Sequence, residues 1–356
     1  MSDISKIDAN FAASDCIKGG DFISIDEAPF KIYGLIKDEN GYCRVPQSVA
    51  DNTNEGTALL NRDLAGGIVR FATNSPTLAV KAENPVVCNV MPHMAVLGSC
   101  GFTAFERKRF LASFRPGIPV NGVLEEKTLA YDEKGIFPDG FHEITLYLPL
   151  YGGYKDISLK VAKGCEIRPA KPFKNEKPVV FYGSSITQGG CASTSANAFT
   201  NMISRDMDLY CINLGFSGSS RGETAMAEYI ASLEMSVFVM DYDHNAPSAE
   251  HLEATHKKFF ETIRAKHPEL PIIIATSIPD IGWKDEYYAR RRNVIYATYK
   301  AAKESGDNNV YFLNGEDFFN SDIPFDDCTV DGCHPNDIGM FMMKKGFEKV
   351  LEKLNI

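Results

Sequence analysis

Acyl-transfer chemistry needs a nucleophile, a base to take its proton and a group that orients the base, and three residue types in this chain sit where they could serve. Ser185 stands in Gly183-Ser-Ser-Ile-Thr-Gln-Gly189, directly after the apolar run Val179-Val-Phe-Tyr182. That run reads as a buried strand and residues 196–208 as the helix after it. A serine between glycines at the carboxyl end of a parallel strand lies where open α/β sheets bind their ligands. Two more apolar runs end in Asn213-Leu-Gly-Phe-Ser-Gly218 and Asp241-Tyr-Asp-His-Asn245. The ends of parallel strands share one edge, so Ser185, Gly218 and Asn245 can converge despite their separation in sequence. Asp331-Gly-Cys-His334-Pro335 reads as a loop before the last helix. An Asp three residues ahead of a His in a turn can hold the imidazole tautomer that takes a proton from serine. The backbone N–H groups of Ser185 and Gly218 and the side-chain amide of Asn245 then offer three donors to a tetrahedral oxyanion. Gly218 suits that task because a missing Cβ lets substrate approach the backbone.

The elements that must position these groups change character near residue 170. Arg168-Pro-Ala-Lys-Pro-Phe-Lys-Asn-Glu-Lys-Pro178 carries three prolines and reads as a linker. Before it, Ile144, Leu146 and Leu148 alternate with other residues, as do Ile157, Leu159 and Val161. Residues 67–73, 74–76 and 77–83 read as strand, turn, strand. Period-two alternation marks strands with one buried face, so the first half is expected to be an antiparallel β-sandwich. After it, strands are expected at 179–182, 210–214, 236–241, 272–277 and 310–314. Helices are expected at 196–208, 223–233, 249–266, 286–305 and 338–354. Five strands alternating with five helices imply an α/β fold with a parallel sheet covered on both faces. The expected domains are 1–170 (sandwich) and 179–356 (α/β), joined by a linker at 171–178.

Composition excludes several alternatives. The chain has 356 residues, enough for two cores, and 44% apolar and 24% charged residues mark an ordinary globular protein. A formal charge of −10 argues against a basic surface for nucleic acid. No apolar run nears the roughly 20 residues that cross a bilayer. Residues 1–10 have neither a basic start nor an apolar core, so a cytoplasmic location without a secretory signal is expected. Nine cysteines are scattered with no CxxC, which suggests reduced thiols rather than a zinc or redox motif. No metal and no organic cofactor is expected. Asp241, Asp243 and His244 offer too few partners for a metal site. His244 competes with His334 as base but lacks an Asp opening its loop three residues earlier. His93, in Met91-Pro-His-Met94, could border the cleft or be structural. Trp283, Tyr287 and Tyr288 could floor a sugar site or simply pack.

Gly183-Ser-Ser-Ile-Thr, Gly218 in Phe-Ser-Gly-Ser, Asn245 and Asp331-Gly-Cys-His334-Pro resemble, in order, the four blocks of the SGNH (GDSL-type) hydrolases. Tyr182-Gly-Ser-Ser-Ile-Thr-Gln-Gly-Gly-Cys-Ala-Ser193 and Asp331-Gly-Cys-His-Pro-Asn-Asp337 are similar to a two-domain branch in which a β-sandwich, jelly-roll-like, precedes the hydrolase domain. The resemblance implies a flavodoxin-like sheet and ester hydrolysis, often of acetyl or other short acyl groups, including those on sugars. The expectation is a serine esterase for a small acylated molecule, a carbohydrate or similar. A lysophospholipase- or thioesterase-like acyl hydrolase is the alternative, and a carbohydrate-binding protein with a vestigial site is the alternative from another class. There are departures. Ser184 stands where many members have Asp. Asp243-His-Asn-Ala246 replaces Gly-x-Asn-Asp, Thr194-Ser-Ala196 replaces Arg-Pro-Gly, and Gly101-Phe-Thr-Ala-Phe105 only loosely matches Gly-x-Asp-Leu-Tyr.

Overall fold

The computed structural model describes residues 20–88, 90–114, 127–129, 140–354 and 356. Among them, the N-terminal half forms two antiparallel sheets. One pairs, in order, Ile23–Ser24, Gly152–Val161, Leu78–Cys88 and Lys127–Leu129. The other runs Ile167–Arg168, Ile68–Thr73, His142–Tyr147, Phe102–Glu106, Arg109–Phe114, with Lys31–Tyr33 also on Ile68–Thr73. Alternation explains the packing. Val69 and Phe71 point between the sheets onto Val80 and Leu159, while Ile68 points out and joins Tyr147 and Phe105 against Ala196 and Phe173. The second sheet is thus covered on both faces, which is why Ile68–Thr73 is buried throughout. The strand, turn and strand expected at 67–83 are present, as Ile68–Thr73 and Leu78–Cys88 with a turn between them. The two strands lie in different sheets, so the turn at 74–76 crosses the sandwich instead of closing a hairpin. Short helices also occur at Gln47–Thr53, Glu55–Leu60 and Val96–Cys100, too brief to show periodicity in the sequence.

The C-terminal half is a five-stranded parallel sheet. In chain order its strands are Asn175–Gly183, Leu209–Gly215, Val237–Asp241, Ile272–Ala275 and Val310–Leu313, and in space the second lies outside the first, giving the order 2-1-3-4-5. This flavodoxin-like order reverses direction beside the first strand, where such folds place their ligands. Apolar side chains on the two faces form separate cores. Phe181, Val239 and Ile273 pack under Phe199 and Phe347, and Val180, Phe238 and Ile272 under Phe259 and Ile295. The first strand begins at Asn175, four residues before the expected start, with a register shift between Asn175 and Val179 that passes Pro178. The helix expected at 196–208 is broken. A 3₁₀ turn, Ser195–Asn197, precedes Phe199–Met207, with Ala198 extended between them. The break lets buried Ser195 hydrogen-bond Thr103 Oγ1 and the Tyr147 carbonyl, both at 3.2 Å. The segments 194–196 and 101–105 therefore meet at the seam between the halves.

The halves share apolar contacts. Ala65, Met94, Leu150 and Tyr151 belong to the same buried cluster as Ile186, Phe199 and Met340. No described helix is long and apolar enough to cross a membrane.

Candidate active site

Gly183 ends the first parallel strand, in register with Gly215 on one side and Asp241 on the other. The chain then turns at Ser184 into one helical turn, Ser185–Gln188, where Ile186 N–H donates to Ser184 Oγ at 3.2 Å and the N–H of Ser185 stays free among the described residues. This turn lies so tightly on the strand ends that a Cβ at Gly183 would overlap Thr187 Oγ1. Glycine is needed there so that Ser185 can sit at the sheet's rim, 9% exposed. The sequence marked a strand end at this point and missed the helical turn, because four residues carry no periodicity.

His334 comes from a tight loop. Val330 N–H donates to the His334 carbonyl at 2.9 Å, and Thr329 Oγ1 donates to the same carbonyl at 3.0 Å. Asp331 Oδ1 accepts from the backbone N–H of Cys333 (3.0 Å) and of His334 (2.7 Å), while Asp331 Oδ2 lies 2.8 Å from His334 Nδ1. His334 Nε2 is 2.9 Å from Ser185 Oγ. Ser185, His334 and Asp331, 149 residues apart for the first pair, thus form one hydrogen-bonded chain. An ionised carboxylate only accepts, so Nδ1 carries the proton and Nε2 is the acceptor facing the serine hydroxyl. Partial burial opposes charge on Asp331, but the hydrogen bonds from the His334 backbone and ring and from Cys333 outweigh it and hold its pKa at about 2.

The backbone N–H groups of Ser185 and Gly218 make no hydrogen bond within the described residues. Gly218 has φ +66°, a left-handed conformation, and a Cβ built there would meet nothing within 4 Å, so its backbone faces open space. Asn245 lies in a 3₁₀ turn, Asp243–Asn245, and donates one amide hydrogen to the Phe216 carbonyl at 2.8 Å. That bond ties the third strand's loop to the second's and leaves the other amide hydrogen for a ligand.

Several positioning groups were not legible in the sequence. Gln188, fully buried, donates to Asp63 Oδ2 (2.8 Å) and the Leu150 carbonyl (3.1 Å) and accepts from Ser217 N–H (2.9 Å). It fastens the Gly218 loop and the sandwich half to the helical turn that carries Ser185. Tyr151 Oη donates to the Ser185 carbonyl at 3.3 Å, again from the first half. Arg291, fully buried, donates to Asp243 Oδ1 at 2.9 Å and to the Asp243 and Ala246 carbonyls, clamping the turn that bears Asn245. Asp243 Oδ2 accepts from Ser277 N–H at 2.9 Å. Both carboxylate oxygens are therefore used structurally. The signals for these roles are side chains whose partners lie 29 to 125 residues away, beyond any local pattern.

His244 does not contact Ser185. Its Nδ1 lies 4.0 Å from Cys333 Sγ, its ring is 5.1 Å from the Trp283 ring, and burial lowers its pKa to about 4, which keeps it neutral. His93, from the first half, has its ring 5.5 Å from the His334 ring and so borders the site. Trp283 is partly exposed, sits under the Arg291 guanidinium at 4.6 Å, and belongs to a loop held to the His334 loop by Ile281 N–H donating to the Gly332 carbonyl at 3.0 Å. Tyr288 is buried and donates to the Ser277 carbonyl at 2.6 Å, a packing role. Two groups bring three candidate ligand atoms within 4.8 Å of one another: His93, Cys191 and His334, and His244, Asp280 and Cys333.

Asp241, beneath the helical turn, accepts from Thr187 Oγ1 at 3.0 Å. Burial is the main cause of a pKa raised to about 8; the Thr187 bond opposes it and the Asp243 charge adds to it. A raised carboxyl holds its proton in the folded protein while the unfolded chain has lost it. Stability is then greatest below the unfolded value near 4 and declines as pH rises towards 8, by up to about 1.4 kcal/mol per pH unit. Asp241→Asn is expected to flatten this decline between pH 5 and 8, measured by urea unfolding at several pH values.

Comparison with known proteins shows the family. The family model described as GDSL-like lipase/acylhydrolase matches residues 176–352, and the one described as GxDLY, N-terminus of SGNH hydrolase-type esterases, matches 21–167. A GDSL-like lipase candidate from Bacteroides ovatus ATCC 8483 superimposes with a TM-score of 0.81 at 29% identity, over 94% of this chain and 98% of that one. The salicylyl-acyltransferase SsfX3 of a tetracycline biosynthetic pathway gives 0.77 at 17%, over 95% and 98%. A family two carbohydrate esterase from Clostridium thermocellum, solved with cellohexaose, gives 0.58 at 16%, over 92% and 99%. No curated protein sequence matches the chain. With a sandwich half and a flavodoxin-like half each matched by the family's own model, the chain belongs to the GDSL-like (SGNH) hydrolases, in their two-domain branch, and is an ester-hydrolysing enzyme.

Proposed function

We propose that this enzyme removes short acyl groups, acetyl above all, from the hydroxyls of a carbohydrate or similar small polar molecule. The observation that carries the mechanism is the hydrogen-bonded chain Ser185–His334–Asp331, at 2.9 and 2.8 Å. Ser185 Oγ attacks the ester carbonyl while His334 Nε2 takes its proton. The resulting anion is held by the N–H groups of Ser185 and Gly218 and the free amide hydrogen of Asn245. The proton passes from His334 to the departing alcohol oxygen, leaving an acyl-serine. Water, deprotonated by the same imidazole, attacks that ester, and the serine recovers its hydrogen as the acid leaves. Asp331 stays charged throughout and stabilises the imidazolium. The scheme needs neither metal nor organic cofactor.

The sugar part of the reading is supported by Trp283, a partly exposed aromatic face on a loop bonded to the His334 loop, and by the carbohydrate esterase among the structural relatives. A panel of esters varied in acyl length and alcohol tests it. Acetylated sugars are expected to outpace octanoyl esters; a strong octanoyl preference would replace the reading with a lysophospholipase- or thioesterase-like one. Transfer of the acyl group to an added alcohol in preference to water would instead make the enzyme an acyltransferase. Asn245→Ala is expected to lower kcat by about 10²–10³ with little change in KM, the loss of one oxyanion donor. Steady-state kinetics on an aryl acetate measure it.

A further inference from the structure

The reaction above leaves His93 and Cys191 without a role, yet both are aimed at the catalytic imidazole. His93 arrives from the sandwich half, its ring 5.5 Å from that of His334, and its Nε2 is buried with no hydrogen-bond partner among the described residues. Cys191 is 8% exposed and has φ +69°, a left-handed conformation that a residue with a Cβ adopts only when its surroundings enforce it. One ligand atom from each of His93, Cys191 and His334 lies within 4.8 Å of the other two. His334 Nδ1 is engaged by Asp331, so the nitrogen open to this group is Nε2, the one that faces Ser185.

Two imidazoles and a thiol are the donor set of a borderline divalent cation, zinc foremost. Tetrahedral zinc holds such ligands about 3.4–3.7 Å apart, so the cluster must contract on binding, by side-chain rotations that bring His334 Nε2 onto the metal. We propose that His93, Cys191 and His334 form an inhibitory zinc site, in which the metal and the serine proton compete for the same imidazole nitrogen. Binding is ligand exchange without oxidation. The Cys191 thiol gives its proton to solvent as the sulfur–metal bond forms, both imidazoles donate a lone pair, and water completes the shell. The sulfur binds as thiolate, so metal binding and release of the thiol proton occur together. The site spans both halves of the protein, so bound zinc also pins the sandwich to the hydrolase half. The inhibition rests on the reading of His334 as base; the metal site itself does not.

The test uses the purified full chain with Zn²⁺ for inhibition of aryl acetate hydrolysis and Co²⁺ for spectroscopy. Zinc is expected to inhibit reversibly, with activity restored by a chelator. Cys191→Ser and His93→Ala are expected to keep metal-free kcat/KM within about twofold and to weaken zinc inhibition roughly a hundredfold. Co²⁺ is expected to give a thiolate-to-metal charge-transfer band in the wild type and in Ser185→Ala, and no band in Cys191→Ser. The Ser185→Ala spectrum reads the metal site without any esterase activity, so loss of the functional reading leaves this part decided. Unchanged inhibition in both ligand variants, or a wild-type cobalt spectrum lacking the band, would overturn the proposal. Because the variants lie in different halves, misfolding of one, seen by circular dichroism, leaves the other to decide.

Discussion

Ser185→Ala is expected to lower turnover of an acetyl ester by about 10⁴–10⁶, with a protein that still folds and still outpaces water by roughly 10³. The size follows from what the hydroxyl does. Its oxygen is 2.9 Å from His334 Nε2 at the sheet's rim, and no other described hydroxyl shares that imidazole. Removing it deletes the covalent route and leaves only the donors of Ser185 N–H, Gly218 and Asn245, which act on any tetrahedral anion. Those donors are backbone or distant side-chain groups, so the alanine variant retains them. Purified variant and wild type on an aryl acetate give the comparison.

Asp331→Asn is expected to cost about 10⁴ in kcat, through the tautomer of His334 and not through folding. Asp331 Oδ2 faces His334 Nδ1 at 2.8 Å, and an amide donor placed there would turn the imidazole so that Nε2 carries the hydrogen. Nε2 could then no longer accept from Ser185. Asp331 Oδ1 also accepts two backbone N–H groups, and the asparagine oxygen can keep those, which preserves the loop. The pH range over which Asp331 stays ionised is wide. Asp331 is held at about 2, below its unfolded value, so its contribution to loop stability is present above about pH 4 and fades only as pH falls towards 2. Loss of activity in mildly acid solution is therefore not expected from Asp331. Kinetics of Asp331→Asn with added imidazole as an external base check the assignment, since rescue is expected only if the base is what fails.

The parallel sheet was readable because buried strands are continuous apolar runs and their helices are long enough to show a period. The strand ends named Ser185, Gly218 and Asn245 because glycine, serine and asparagine at such ends are uncommon as packing residues. Asp331 and His334 were readable because they lie three apart in one turn. The sequence could not say that Asn245 spends one amide hydrogen on the Phe216 carbonyl, nor that the turn carrying it hangs on Arg291 from a helix 45 residues downstream. Gln188 lay inside the recognised segment, yet its task depends on Asp63 and Ser217, which sequence spacing does not connect. The sandwich was legible as alternation, but its sheet assignment was not: a three-residue turn can close a hairpin or cross between sheets, and the tertiary packing of Phe71 and Val80 decides. Cysteine spacing hid the Cys191 cluster for a similar reason, since its partners at 93 and 334 follow no motif.

The central claim is that one serine is made nucleophilic by one histidine across the sheet's rim. Covalent labelling by a fluorophosphonate, read by peptide mass spectrometry, tests it most directly. One adduct per chain on Ser185 is expected in the wild type, with labelling slowed by orders of magnitude in His334→Ala although the serine remains. No adduct on Ser185, or labelling at the same rate without His334, would contradict it.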